Sequence, residues 1–383
     1  MQEIIILILI IGCLLSFTDF GSFLTRQPAA VNPEVLVQEK IIEKPITPAT
    51  VISPLQQSPA LALIDTYITS GPKNEEIIED TNKVVFEFDK RLLSDEIKER
   101  IYFETKLIGF DNDWKKTYSK KRMITIPSGP KEYTFLVRAR TRSVIDYTPA
   151  QIIFKINISP YFEKVKVSSA KIETSSSPAL ITLTTNLKND EKINITGWSI
   201  EGKNGKIIIP QGVEKYCYCY DSSPNEDIFV ERGNRIYLSS SYNPFRKDGN
   251  FRSNKCLGYL INSPNFPISI SKNCPKPTKE EISHLNPCCQ QFILRLRPCE
   301  LPDYSKNIDV RGDKQCIEYI NENLNNAGCF KNYSQDSNFL GNDWYIYLND
   351  KDVLADNCYD TLYLRDKNGL LINTYSYGRA VCR

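Results

Sequence analysis

From Ala60 onward, apolar and polar residues alternate in short runs, the pattern of half-buried strands. In Tyr133–Arg140, the residues Tyr133, Phe135, Val137 and Ala139 share one face, and Thr134, Arg138 and Arg140 take the other. Val84–Phe88 and Ile101–Leu107 read as strands too. Ile152–Ile158 closes the set, with Ile152, Phe154, Ile156 and Ile158 opposite Ile153, Lys155 and Asn157. Gly129-Pro130 marks the turn ahead of Tyr133. Strands of this length and spacing predict a β-sandwich over residues 61–162.

Strand-like runs resume beyond Pro160, at Val165–Val167, Leu180–Thr185, Ile193–Ile195, Trp198–Ile200, Lys206–Ile209 and Ile236–Leu238. They predict a second β-rich domain over 163–383. A segment at about 260–344 departs from the pattern and reads as an insertion in one of its loops. It carries two predicted helices, Thr278–Leu285 and Gln315–Asn325. The second sets Cys316, Tyr319, Ile320 and Leu324 at helical spacing, with Asp313 placed to cap it.

Two stretches resemble known families. Leu107-Ile108-Gly109-Phe110-Asp111-Asn112-Asp113-Trp114, followed by Tyr133-Thr134-Phe135-Leu136-Val137-Arg138-Ala139, resembles the three-Y domain of bacterial two-component regulators. The resemblance implies an immunoglobulin/fibronectin-III-like sandwich outside the cell, with Asp111 in a turn and Trp114 in the core. Further on, Ile195–Ile200, Ile209–Gly212 and Glu231–Leu238 follow the order of a lamin-tail domain. Cys358–Gly369 is similar to that family's late hairpin, with Lys367-Asn368-Gly369 as its turn and Tyr375-Ser376-Tyr377 as the last strand. This resemblance implies a second immunoglobulin-like sandwich, of a kind common on exported bacterial proteins. The expected fold is therefore all-β: two tandem sandwiches, the second bearing a small helical, cysteine-rich insertion.

Ahead of them, Ile4–Phe17 is almost wholly apolar, which reads as a signal or membrane-anchor segment over residues 1–25. Its length suits a secretory core and is marginal for a bilayer span of about 20 residues. No Lys or Arg precedes it, and Ile10-Ile11-Gly12-Cys13 resembles a lipobox, so cleavage, retention and lipidation all stay open. Residues 26–60 carry Pro28, Pro33, Pro45, Pro48, Pro54 and Pro59 and read as an extended linker, up to ~100 Å long at 3.1 Å per residue. The membrane is thus one expected partner, through the N-terminal segment.

Eleven of the twelve cysteines lie beyond residue 216, a density that points to disulfides in an oxidising compartment. Candidates are Cys256 with Cys274, Cys288 or Cys289 with Cys299, Cys316 with Cys329, and Cys358 with Cys382. Eleven is odd, so at least one thiol is left free or pairs between molecules.

Other chemistry is sparse. Net charge is +2, from 48 basic and 46 acidic residues, so no nucleic-acid partner is expected. A single histidine, His284, leaves little for metal or general-base sites. Cys217-Tyr218-Cys219 has one residue fewer than the usual redox or zinc spacing, and Cys288-Cys289 is equally poor as a chelate. Arg311-Gly312-Asp313 spells an adhesion tripeptide but precedes a helix. Tyr216, Tyr218 and Tyr220 would share one face of a strand. No catalytic residue, cofactor or metal is expected. The sequence points to an exported or membrane-anchored, non-enzymatic binding or scaffold module, with the insertion meeting a protein or cell-surface polymer. The alternatives are a sensory ectodomain serving a separate membrane partner and, third, an extracellular thiol oxidoreductase.

Overall fold

The computed structural model describes residues 63–173, 177–203, 205–219, 224–245, 249–262, 268–349 and 359–378. The apolar run with Cys13, the Pro-rich linker, Tyr220, Cys358 and Cys382 lie outside the described residues. Among the described residues, no helix is long and apolar enough to cross a membrane.

The first sandwich is built from β1 (Ile64–Ser70), β2 (Glu76–Ile78), β3 (Lys83–Leu92), β4 (Tyr102–Ile108), β5 (Lys115–Thr117), β6 (Lys121–Thr125), β7 (Lys131–Arg140) and β8 (Ala150–Ile156). One sheet runs β1-β3-β6 and the other β2-β8-β7-β4-β5. Strand alternation sends Val84, Phe86 and Phe88 inward from β3, and Tyr133, Phe135, Val137 and Ala139 inward from β7. Phe86 and Phe135 stack across the gap between the sheets with centroids 3.8 Å apart, and Phe88 meets Phe103 edge-on at 5.0 Å. Each such ring contributes about 1.5–3 kcal/mol by leaving water.

Trp114 corrects the expectation drawn from the motif. It does not reach this core; it lies half-buried with the Arg138 guanidinium 4.1 Å above its ring. Arg138 points outward from β7, so Trp114 packs on the outer face of the sheet. The fully buried tryptophans are Trp198 and Trp344, both in the second sandwich.

Asp111 does occupy the turn. Its carboxylate accepts the Leu107 N–H at 2.7 Å and the Arg122 guanidinium at 2.9 and 2.7 Å, with Lys115 at 2.8 Å. Burial alone pushes this carboxyl up, but Lys115, the Leu107 N–H and Arg122 together outweigh burial and hold it below its ordinary value.

The second sandwich comprises β9 (Val165–Lys171), β10 (Leu180–Thr185), β11 (Ile193–Asn194), β12 (Ser199–Gly202), β13 (Gly205–Ile208), β14 (Phe229–Val230), β15 (Arg235–Ser239), β16 (Phe251–Asn254), β17 (Leu340–Tyr347), β18 (Asp360–Arg365) and β19 (Leu371–Tyr377). Its sheets run β16-β17-β15-β10-β9 and β13-β12-β18-β19, with the pair β11-β14 beside them. Trp198, Ile200, Ile236, Leu238, Trp344, Ile346, Leu362, Leu364 and Ile372 meet in its core. The β18–β19 turn forms where Lys-Asn-Gly predicts it. Asp366 accepts the N–H of Asn368 and Leu370 at 2.8 and 3.0 Å, and Gly369 takes φ +80°, open to a residue without Cβ.

β15 and β17 run parallel, Ile236 opposite Trp344 and Leu238 opposite Ile346. Parallel neighbours need a crossover of a dozen or more residues. Here β16 and residues 255–339 supply it, and Trp344, at the expected end of the insertion, sits inside β17. Within 255–339 the structure forms a 3-10 helix (Leu257–Asn262) and helices α1 (Pro287–Arg295), α2 (Ile308–Arg311), α3 (Lys314–Asn323) and α4 (Asn326–Tyr333). The predicted helix at Thr278–Leu285 is instead a run of turns. Leu285 bonds back to Ile282, and the following proline holds Asn286 extended, so the helix starts afresh at Pro287.

Candidate functional site

The segment 255–339 is organised by Asn and Asp caps and by sulfur. Asn286, Asn307, Asp313 and Asn325 each open a helix by accepting the N–H three residues on, at 2.8, 3.2, 3.1 and 2.9 Å. The buried stripe of α3, Cys316 and Ile320, continues into its cap Leu324 and packs on Ile282, Leu285, Cys289 and Ile293.

Three disulfides brace the segment, and none matches the pairing expected from short loops. Cys289 joins Cys316, linking α1 to α3 across the shared apolar seam. Cys274 joins Cys299. Cys256, just past β16, joins Cys329 on α4 and ties the far helix to the sheet. Nearness in sequence misleads here because tertiary packing brings distant segments together: Cys289, Cys316 and Cys329 sit on helices, while Cys256, Cys274 and Cys299 sit in the connecting turns and loops. Cys288, beside buried Cys289 on α1, is exposed and unbridged. The expected Cys358–Cys382 pair lies outside the described residues.

Where this segment meets the sandwich, residues 216–219 depart from the expected strand. They form a bend closed by a disulfide between Cys217 and Cys219, a pair not among the candidates drawn from the sequence. Tyr216 and Tyr218 therefore do not share a strand face. Tyr216 is buried, stacked on Phe251 at 4.8 Å, and burial, with Tyr218 nearby, pushes its hydroxyl up to about 12. Tyr218 is 45% exposed. Buried Asn326 joins the two parts: its Oδ1 accepts the Tyr218 N–H at 3.1 Å, and its amide donates to the Cys256 carbonyl at 3.0 Å. Lys215 adds a bond to the Ser334 carbonyl at 3.0 Å. Asn326 lies just past the helix predicted over Gln315–Asn325, and the fresh helix that it opens, Asn326–Tyr333, was not expected from the sequence.

The remaining sequence candidates have structural surroundings. Asp313 of the Arg-Gly-Asp triplet caps α3 and accepts from Asn286, and Gly312 closes α2. His284 is exposed, its ring edge against Tyr319 at 5.8 Å. Among the described residues, no group of three or more His, Cys, Asp or Glu is placed to hold a metal.

A second surface lies on the first sandwich. Lys116 sits 3.9 Å from the Tyr102 ring and Arg100 4.1 Å from that of Tyr118. Nearby, Arg138 and Arg140 both pair with Glu104. The lysines of short edge strand β5 also blunt that edge against pairing with another chain.

No protein-family model matches the chain, and no curated protein matches it. Solved structures match over parts of it. The extracellular domain of BT4673 from B. thetaiotaomicron is 17% identical over 23% of this chain, with a TM-score of 0.19. The chicken CNTN1 FN1-FN3 domains are 8% identical over 44%, at 0.17, and chitinase ChiA74 from Bacillus thuringiensis 12% identical over 45%, at 0.18. The matched regions span 12%, 53% and 25% of those chains. At TM-scores this low, the likenesses say nothing of function.

Proposed function

We propose that the chain is an extracytoplasmic, non-enzymatic binding or scaffold module, held at the membrane by residues 1–25, with 255–339 as its recognition element. One observation carries this reading. Six buried cysteines in that segment are joined in three bridges, a framework that persists only in an oxidising compartment. A long braced segment on a rigid sandwich is also where specificity is commonly carried. Its Ile308 and Leu301 stand 77% and 51% exposed, apolar groups open to a partner protein or cell-surface polymer. The sequence motifs support a three-Y-like first sandwich and a lamin-tail-like second one. A sensory ectodomain working with a separate membrane partner is the second reading, favoured by the Leu107–Trp114 motif alone.

The test has two arms. A non-reducing peptide map of protein recovered from intact cells is expected to show the three bridges; fully reduced cysteines would overturn the compartment. A photo-crosslinker at Ile308 is expected to capture a partner that the same probe at Met123, 67% exposed on the first sandwich, does not. Capture from Met123 alone would move the recognition surface off the insertion.

A further inference from the structure

The four bridges among the described residues differ in how their cysteines meet solvent. Cys256, Cys274, Cys289, Cys299, Cys316 and Cys329 are each 5% exposed or less. In the fourth bridge Cys217 is 1% exposed, but Cys219 is exposed. Thiol–disulfide exchange requires a thiolate to reach one sulfur in line with the bond that breaks. Among the bridged cysteines described, Cys219 alone is an exposed residue, and it is the one a thiolate would approach without unfolding.

We propose that Cys217–Cys219 is a thiol–disulfide exchange site that takes a small-molecule thiol at the Cys219 sulfur. The surroundings of Cys217 suit a leaving group. Its Sγ already receives the Cys219 main-chain N–H at 3.2 Å and lies 3.5 Å from Asn326 Oδ1. The N–H stabilises negative charge as the bond breaks, and the amide oxygen then accepts the S–H of the protonated thiol.

The incoming thiolate forms a bond to Cys219 Sγ, and the Cys217–Cys219 bond breaks with its electron pair going to Cys217, which takes up a proton. A second thiol attacks the incoming sulfur of the mixed disulfide and releases Cys219 as a thiol. Two small thiols are oxidised to their disulfide, and the protein bridge is reduced to two thiols.

The fold tolerates the opening. The bridge joins cysteines only two positions apart, so it removes little freedom from the unfolded chain. The residue before the bridge and the residue inside it are held independently, by Tyr216 stacked on Phe251 and by Asn326 on the Tyr218 N–H. The site is therefore an openable clasp where the crossover segment touches the sandwich. This holds whether or not the compartment proposed above is right, because the test uses oxidised purified protein.

The full chain carrying Cys288→Ser, which removes the exposed free thiol, is treated with reduced glutathione under native conditions. It is then quenched with an alkylating reagent and mapped by mass spectrometry. Cys217 and Cys219 are expected to become labelled on the order of a hundredfold faster than the six buried cysteines, whose exchange waits on local opening. The first glutathione adduct is expected on Cys219, with the circular dichroism spectrum unchanged. Labelling of all four bridges at one rate, a first adduct on Cys217, or a map joining either cysteine to Cys358 or Cys382 would each overturn the proposal.

Discussion

Removing the carboxylate of Asp111 should cost the first sandwich more than removing any of its partners. The Asp111 side chain is fully buried and that of Arg122 is 12% exposed, so Asp111→Ala strands a desolvated guanidinium and leaves the Leu107 N–H without its acceptor. Breaking a buried pair in this way costs about 3–5 kcal/mol. Arg122→Ala leaves Asp111 its bonds to Lys115 and Leu107, and the loss should be nearer ~2 kcal/mol, the scale of hydrogen bonds to a charged group. Lys115 is 60% exposed, and its removal should stay within about 1 kcal/mol. Replacing both partners, as in Asp111→Leu with Arg122→Met, should recover part of the loss because no buried charge remains. The two sandwiches need not unfold together, so urea unfolding should be followed by hydrogen exchange on peptides from β4 and β7. Asp111→Ala costing under about 1 kcal/mol, or the double replacement costing the sum of the singles, would refute the reasoning. The acid dependence comes from the same site. The folded carboxyl is held below its ordinary value of 3.8, so its contribution is fully present above that value and is lost as pH falls through the lower, folded one. Asp111→Asn should flatten that part of the acid profile.

The disulfides should rank by the chain they close. Replacing Cys256 and Cys329 by Ser, across a separation of 73, should cost roughly 4 kcal/mol, while replacing Cys217 and Cys219 should cost under about 2 kcal/mol, both read from thermal unfolding. Gly258→Ala should impair formation of the Cys274–Cys299 bridge, because its Cβ would run into Cys299 Sγ; the readout is free-thiol content of the purified protein. Asn326→Ala should cost about 1–3 kcal/mol by stranding the Tyr218 N–H and the Cys256 carbonyl, with faster exchange in peptides covering 216–219.

Much of the scaffold can be read from residue order, and the reason is periodicity. The inward set of β7 comes directly from alternation, Asp366–Gly369 carries its own turn chemistry, and α3 shows in the spacing of Cys316, Ile320 and Leu324. What the sequence hides depends on direction rather than period. Cysteine partners are set by which helices and loops pack together, so pairing by shortest loop fails for all three bridges of the insertion. Trp114 resembles a core anchor in its motif but is drawn to the outer face by Arg138. Tyr216–Cys219 alternates like a strand, yet a bridge between its cysteines bends it. Of the clasp beside Asn326, only the cysteine spacing was visible beforehand.

The crossover departs and rejoins at neighbouring points: Asn254 pairs with Leu340, and the Lys255 N–H bonds to the Phe339 carbonyl at 3.1 Å. Closing a longer or shorter excursion between two fixed, adjacent ends changes its entropy only logarithmically. Loop closure thus sets little limit on its size, whereas the packing of Leu257, Ile268 and Ile270 on Phe251 and Tyr345 fixes which part of it the sheet needs. A tip of quite different size could be seated beyond those contacts, provided the apolar cover over Phe251 and Tyr345 is kept.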